Sequence, residues 1–190
     1  MEQTLKNKPF MVYMPYAFLA TALFSCFIVF LNKVELTPGE VEYPEVEFIA
    51  PSFELPTLGG GKLNLADYRG KVVFLNFWAT WCGTCKVEMP SMQKLYNKFK
   101  DQGFEMITIS IDKDQELIQP FMDEYNLTFP VLLDPDSEIA KKAYKTTGVP
   151  ETFIVRQDGV IVHKAIGPRD WASDETIQAF QQLVGFKDNA

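Results

Sequence analysis

The stretch "KVVFLNFW", residues 71–78, is a continuous apolar run rich in β-forming residues. It predicts a strand buried on both faces, so the rest of the chain must supply a packed layer on each side. A helix is expected over residues 83–100, a strand over "FEMITISI" (104–111) and a helix over 115–125. "FPVLLD" reads as a short strand and residues 137–144 as a short helix. "TFIV" and "VIVHKAI" are strands parted by Asp158-Gly159, a strong hairpin signal, and residues 174–184 close the domain as a helix. Ahead of all these, residues 53–55 and 62–65 form a hairpin around Gly59-Gly60-Gly61. That triplet is a turn rather than a phosphate cradle, because no helix follows it. The order of elements gives an α/β sandwich with a mixed sheet over residues 51–187.

Two of the three cysteines, Cys82 and Cys85, stand between that strand and the helix, in "FWATWCGTCKVEMP". Three cysteines cannot make a multi-disulfide framework. Structural zinc needs about four ligands, usually as two pairs. Here there is one pair and a single histidine, His163, which "VIVHKAI" assigns to a strand surface. One histidine without a nucleophile elbow also argues against a Ser-His-Asp hydrolase. A purely structural disulfide would close a very short loop and restrict the unfolded chain little. Thiol–disulfide exchange fits better. Cys82 is expected at the helix N-terminus, where free N–H groups and the helix dipole favour a thiolate. Cys85 follows one turn later, placed to resolve a mixed disulfide.

At about 100° per residue, Met92, Leu95, Tyr96 and Phe99 form one apolar stripe of that helix. Extended backward, the stripe takes in Cys85 and Glu88, the one charged residue near its centre. Pro90 is expected to kink the helix. A buried Glu88 would resist ionisation, so its pKa should rise. Such a group could take and return the Cys85 proton during exchange.

Residues 10–31, "FMVYMPYAFLATALFSCFIVFL", carry no charge. As a helix they would extend about 33 Å, against a bilayer core of roughly 30 Å. Lys6 and Lys8 precede the span, and Glu35, Glu40, Glu42, Glu45 and Glu47 follow it. The positive-inside tendency then leaves residues 1–9 as a cytoplasmic tail and exports the body, with residues 32–50 as an acidic linker. The stretch is too long for a cleaved signal peptide, and no small-x-small site follows it. Cys26 within it is expected to be structural. The net charge of −7 argues against nucleic acid as a partner.

Together, "LNLADYRGKVVFLNFWATWCGTCKVEMP" and "GVPETFIV" resemble the membrane-anchored thioredoxin-like reductases of the TlpA/ResA/CcmG group, over about residues 51–185. The resemblance implies a thioredoxin-like fold, with helices flanking a mixed central sheet after one transmembrane helix. It implies that Cys82 is the exposed nucleophile, that Cys85 resolves, and that Glu88 is a buried modulator, in agreement with the stripe. Pro150 is implied to be cis and to face the disulfide. Trp81, Gly83, Thr84, Val149, Pro150 and Glu151 are implied to form the substrate groove and its support. The implied activity is disulfide reduction on the periplasmic side of a bacterial inner membrane, with no cofactor and no metal. Its implied partners are an oxidised substrate protein, such as apocytochrome c or a haem-ligation factor, and a membrane thiol electron donor. The implied setting is cytochrome c maturation. Gly83-Thr84 departs from the Glu-Pro of ResA-like members and the Pro-Thr of CcmG-like ones; Thr84 and Pro150-Glu151-Thr152 lean toward CcmG.

Other functions use the same residues. A thiol oxidase or isomerase would run the same chemistry with opposite poise. A copper-delivering module of the Sco type has a wider Cys-x-x-x-Cys spacing and a distant histidine, and the spacing here is one residue shorter. A thiol peroxidase would show Thr-x-x-Cys surroundings that this chain lacks.

Overall fold

The computed structural model describes residues 46–185. The apolar span expected at residues 10–31 lies outside them. Among the described residues no helix is long and apolar enough to cross a membrane.

Strands β1 (Glu54–Pro56) and β2 (Lys62–Asn64) pair antiparallel, with Leu55 opposite Leu63. Gly60 and Gly61 turn the chain between them at φ 90° and 83°, a region glycine enters without a Cβ clash. The Asn64 side chain accepts from the Ala66 N–H at 2.9 Å and starts a single 3-10 turn over Leu65–Tyr68 that the sequence did not announce. Next comes β3 (Val72–Trp78), in which every residue is buried.

The remaining elements are α1 (Gly83–Phe99), β4 (Phe104–Ser110), α2 (Ile118–Glu124), β5 (Val131–Leu133), β6 (Glu151–Val155), β7 (Ile161–Ile166) and α3 (Asp174–Gly185). The main sheet runs β5-β4-β3-β6-β7. β3, β4 and β5 are parallel, while β6 runs antiparallel to both β3 and β7, so the sheet is mixed as expected. Side chains alternate along the central strand. Val72, Phe74 and Trp78 face a layer with Met89, Met92 and Phe99 of α1 and Phe180 of α3. Val73, Leu75 and Phe77 face Phe53, Leu63, Tyr144 and Phe153 on the other side. Two dry layers on one strand are what "KVVFLNFW" requires.

Two helices differ from expectation. Residues 115–125 divide into a 3-10 turn, Gln115–Leu117, capped by Asp114, and the shorter α2. Residues 137–144 form a wide turn, Glu138–Ala143, in which the Tyr144 N–H reaches back to the Ile139 carbonyl. The Asp134 carboxylate caps the start of this turn, accepting from the N–H groups of both Glu138 and Ala140 at 2.9 Å. Tyr144, buried at the end of this turn, donates its hydroxyl to the Pro51 carbonyl at 2.9 Å, and burial pushes its pKa up.

The Asp158-Gly159 turn joins β6 to β7 as expected. Gly159 has φ 84°, and a Cβ there would lie 0.8 Å from the Arg69 guanidinium, which donates to the Asp158 carbonyl at 2.7 Å. His163 is exposed on β7. Among the described residues, backbone pairing begins at Glu47, inside the stretch expected as linker: Glu47 donates to Ile161 at 2.7 Å, Ile161 to Phe48 at 2.8 Å and Ala50 to Gly159 at 2.9 Å.

Candidate active site

Beyond Trp78 the chain leaves the sheet and turns into α1 through residues 79–82. Asp112, just past β4, holds this turn. Its carboxylate accepts from the Thr80 N–H at 2.9 Å, the Thr80 hydroxyl at 2.7 Å and the Ser110 hydroxyl at 2.7 Å. Cys82 is the N-cap of α1, with extended backbone, and its sulfur accepts the Cys85 N–H at 3.1 Å. One of the free N–H groups of the helix start therefore points at the sulfur, as a nucleophilic thiolate needs. Cys82 and Cys85 are joined as a disulfide with S–S 2.12 Å.

The expected exposed nucleophile is nearly covered: Cys82 is 5% exposed and Cys85 0%. Thr84 Oγ1 at 3.4 Å and the Val149 carbonyl at 3.5 Å close over the Cys82 sulfur. The Val149–Pro150 peptide is cis, as the resemblance implies. The contact recorded with Cys82 runs through the Val149 carbonyl, and Pro150 itself is buried. Glu151 is also fully buried, so it supports the loop rather than lining a groove. It accepts from the Thr147 N–H at 3.0 Å and the Thr147 hydroxyl at 3.2 Å, and pairs with Lys164 at 3.1 Å. A groove of about 660 Å³ runs beside the disulfide, walled by Trp81, Leu117, Lys141, Thr147 and Val149. Trp81 is 67% exposed at its edge. Gly83 and Thr84 are exposed but do not line it.

Glu88 is 1% exposed, on the same buried face of α1 as Cys85, Met89, Met92, Leu95 and Phe99. Tyr96, placed on the stripe by the sequence, is only half-buried. Pro90 lies inside the helix and leaves the Lys86 carbonyl without its usual donor. The Glu88 carboxylate accepts from Asn76 Nδ2 at 3.1 Å on Oε1, and from Trp171 Nε1 at 3.0 Å and the Arg169 N–H at 3.2 Å on Oε2. Burial pushes its pKa up; these donors and the Arg169 charge oppose the rise without cancelling it. The same loop is pinned a second time, because the Trp171 backbone N–H donates to Ser91 Oγ at 3.1 Å.

Sequence reasoning found Cys82, Cys85 and Glu88 but missed Asn76, Asp112, Thr152 and Trp171. Asn76 was hidden as one polar letter in an apolar strand. Trp171 comes from a loop 83 residues along the chain from Glu88, with no local signal. Among the described residues no group of three His, Cys, Asp or Glu could hold a metal ion.

The chain is similar to known proteins over this domain. The AhpC/TSA family matches residues 46–164. The thiol-disulfide oxidoreductase ResA of Bacillus cereus is 38% identical over 135 residues, covering 71% of this chain and 76% of that protein. The crystal structure of a thiol:disulfide interchange protein of the thioredoxin family from Chlorobium tepidum TLS superposes with TM-score 0.64 at 27% identity, over 74% of this chain and 99% of that one. StoA from Bacillus subtilis superposes with TM-score 0.58 at 26% identity, over 70% and 98% respectively. With its own disulfide at the start of α1, this chain therefore belongs to the AhpC/TSA family as a ResA-like thiol-disulfide oxidoreductase.

Proposed function

We propose that the protein is a membrane-anchored disulfide reductase whose domain works outside the cytoplasm, in the maturation of c-type cytochromes. The observation that carries the direction is the Val149 carbonyl against the Cys82 sulfur. The sulfur's polar neighbours are that carbonyl, Thr84 Oγ1 and the Cys85 N–H, and none brings a positive charge. A carbonyl oxygen beside the sulfur works against the thiolate that the Cys85 N–H and the helix start favour, so the thiolate gains no exceptional stabilisation. A dithiol that is not stabilised gives up its electrons readily.

In the cycle, the Cys82 thiolate attacks a substrate disulfide. One substrate thiolate leaves, and a Cys82–substrate mixed disulfide forms. Glu88 takes the Cys85 proton. The Cys85 thiolate then attacks the Cys82 sulfur, the Cys82–Cys85 bond forms, and the second substrate thiolate leaves and is reprotonated. Two electrons pass to the substrate, and a membrane thiol donor returns the pair to the dithiol. The oxidised substrate is a protein such as apocytochrome c or a haem-ligation factor. Trp81 and the Val149 side of the groove receive it, Gly83 and Thr84 are exposed beside the disulfide, and buried Pro150 and Glu151 hold the Val149 loop in place.

Equilibration with glutathione buffers tests the direction. The potential is expected near the ~−270 mV of thioredoxin, far from the ~−120 mV of DsbA. A protein that stays mostly reduced in an oxidising, periplasm-like buffer would be an oxidase. A Cys85→Ser trap in membranes identifies the substrate, and recovery of no cytochrome-maturation protein on Cys82 would remove that assignment.

A further inference from the structure

We propose that Asn76 is a positioning residue for the exchange: its carboxamide turns over when Glu88 takes a proton, and so matches the neutral acid as well as the anion. The inference rests on the proton-shuttle role given to Glu88 above. Asn76 lies mid-strand in β3, opposite Thr108 of β4 and Thr152 of β6, a polar row across an otherwise apolar sheet face. The groups that face Glu88 are Asn76 from the sheet and the Arg169 N–H and Trp171 from the loop before α3, while Cys85 shares its buried helix face one turn back. Arg169 is the charged residue among them whose field reaches the carboxylate.

With Glu88 ionised, Asn76 Nδ2 serves two acceptors, Glu88 Oε1 at 3.1 Å and Thr152 Oγ1 at 2.9 Å. Asn76 Oδ1 is buried and accepts nothing. A carboxamide with both donors used and its oxygen orphaned is an unbalanced arrangement in an apolar core. The proton's destination is also constrained. Glu88 Oε2 already takes an indole N–H and a backbone N–H, neither of which can become an acceptor. An added proton therefore belongs on Oε1, where it meets the Asn76 donor. A half-turn about Cβ–Cγ exchanges Nδ2 and Oδ1. The oxygen then accepts from both Glu88 Oε1–H and the Thr152 hydroxyl, and the nitrogen moves to the orphaned position. Each orientation satisfies two partners and strands one group. Asn76 thus offers a matched hydrogen-bond partner to the buried acid in either protonation state, as a proton carrier requires.

The test is a pH titration by NMR of the full-length reduced chain in detergent micelles, labelled in the Asn side-chain nitrogen and the Glu carboxyl carbon. The Asn76 amide signals and the Glu88 carboxyl carbon are expected to titrate with one midpoint. Cross-peaks from the amide protons to the Thr152 side chain should be present above it and lost below it. Cross-peaks that persist through the Glu88 titration overturn the proposal and leave the shuttle standing. A Glu88 carbon that does not respond to Cys85→Ser overturns the shuttle, and the proposal with it. Asn76→Leu removes a partner from both protonation states, so the Glu88 midpoint should move by less than about tenfold in proton affinity, the factor one hydrogen bond carries. A larger rise means that Asn76 is a fixed donor to the anion, and the proposal fails. Should that variant not fold, the cross-peaks of the unaltered chain decide.

Discussion

At Glu88 burial outweighs the donors that favour the anion, so the folded protein binds a proton there more tightly than the unfolded chain does. The stability this lends is fully present below the ordinary value of 4.5 and is lost as pH rises through the raised one. Urea denaturation of the oxidised protein, where Cys85 cannot titrate, should show that decline, and Glu88→Gln should flatten it. An identical pH slope in the variant would mean another group is responsible. In the reduced protein Glu88→Gln should slow the second, resolving step by ~10²-fold or less, sparing the first attack; equal loss in both steps would argue against proton transfer. Trp171→Phe keeps a ring against Phe74, 4.8 Å away, but removes the indole donor to Glu88. Because that bond lowers the Glu88 pKa, the variant's thiol–acid titration should move upward, and a downward shift would contradict the hydrogen-bond reading. On brief alkylation of the reduced protein near neutral pH, Cys82 should be modified before Cys85, since Cys82 caps the helix while Cys85 is fully buried; the reverse order, read by mass spectrometry, would overturn the assignment.

Among the elements, the β6–β7 turn leaves the least room for an added side chain. Gly159→Ala would meet both a left-handed backbone and the Arg69 guanidinium. A loss of about 1–3 kcal/mol is expected, measurable by denaturation, and near-neutrality would mean that Arg69 moves aside freely. The elements themselves were legible where one period persists: β3, β4, α1 and the β6–β7 hairpin stand within a residue or so of expectation. Legibility failed at the turn after Asp134, where the Tyr144 N–H bonds five residues back, a spacing the apolar pattern does not announce. The site divides in the same way. Cys82, Cys85 and Glu88 share one helix, so spacing and stripe place them. Asn76, Asp112 and Trp171 reach the site through pairing and loop closure, which neither periodicity nor a short motif encodes.

For the molecule as a whole, residues 10–31 are expected to hold the domain outside the cytoplasm. Protease added to intact spheroplasts should digest it, and digestion only after lysis would reverse the topology. A protein used in this way is loaded at one end. Residues 47–51 are fastened to the domain by a ladder that starts at Glu47–Ile161, passes through Ile161–Phe48 and Ala50–Gly159, and finishes where the Tyr144 hydroxyl grips the Pro51 carbonyl. Tension along a leash from the N-terminal side would strain these fastenings in turn, outermost first, like tape peeled from a surface. Slack could be let out a residue at a time while the disulfide and its groove stayed undisturbed, lengthening the reach of the domain toward its substrate.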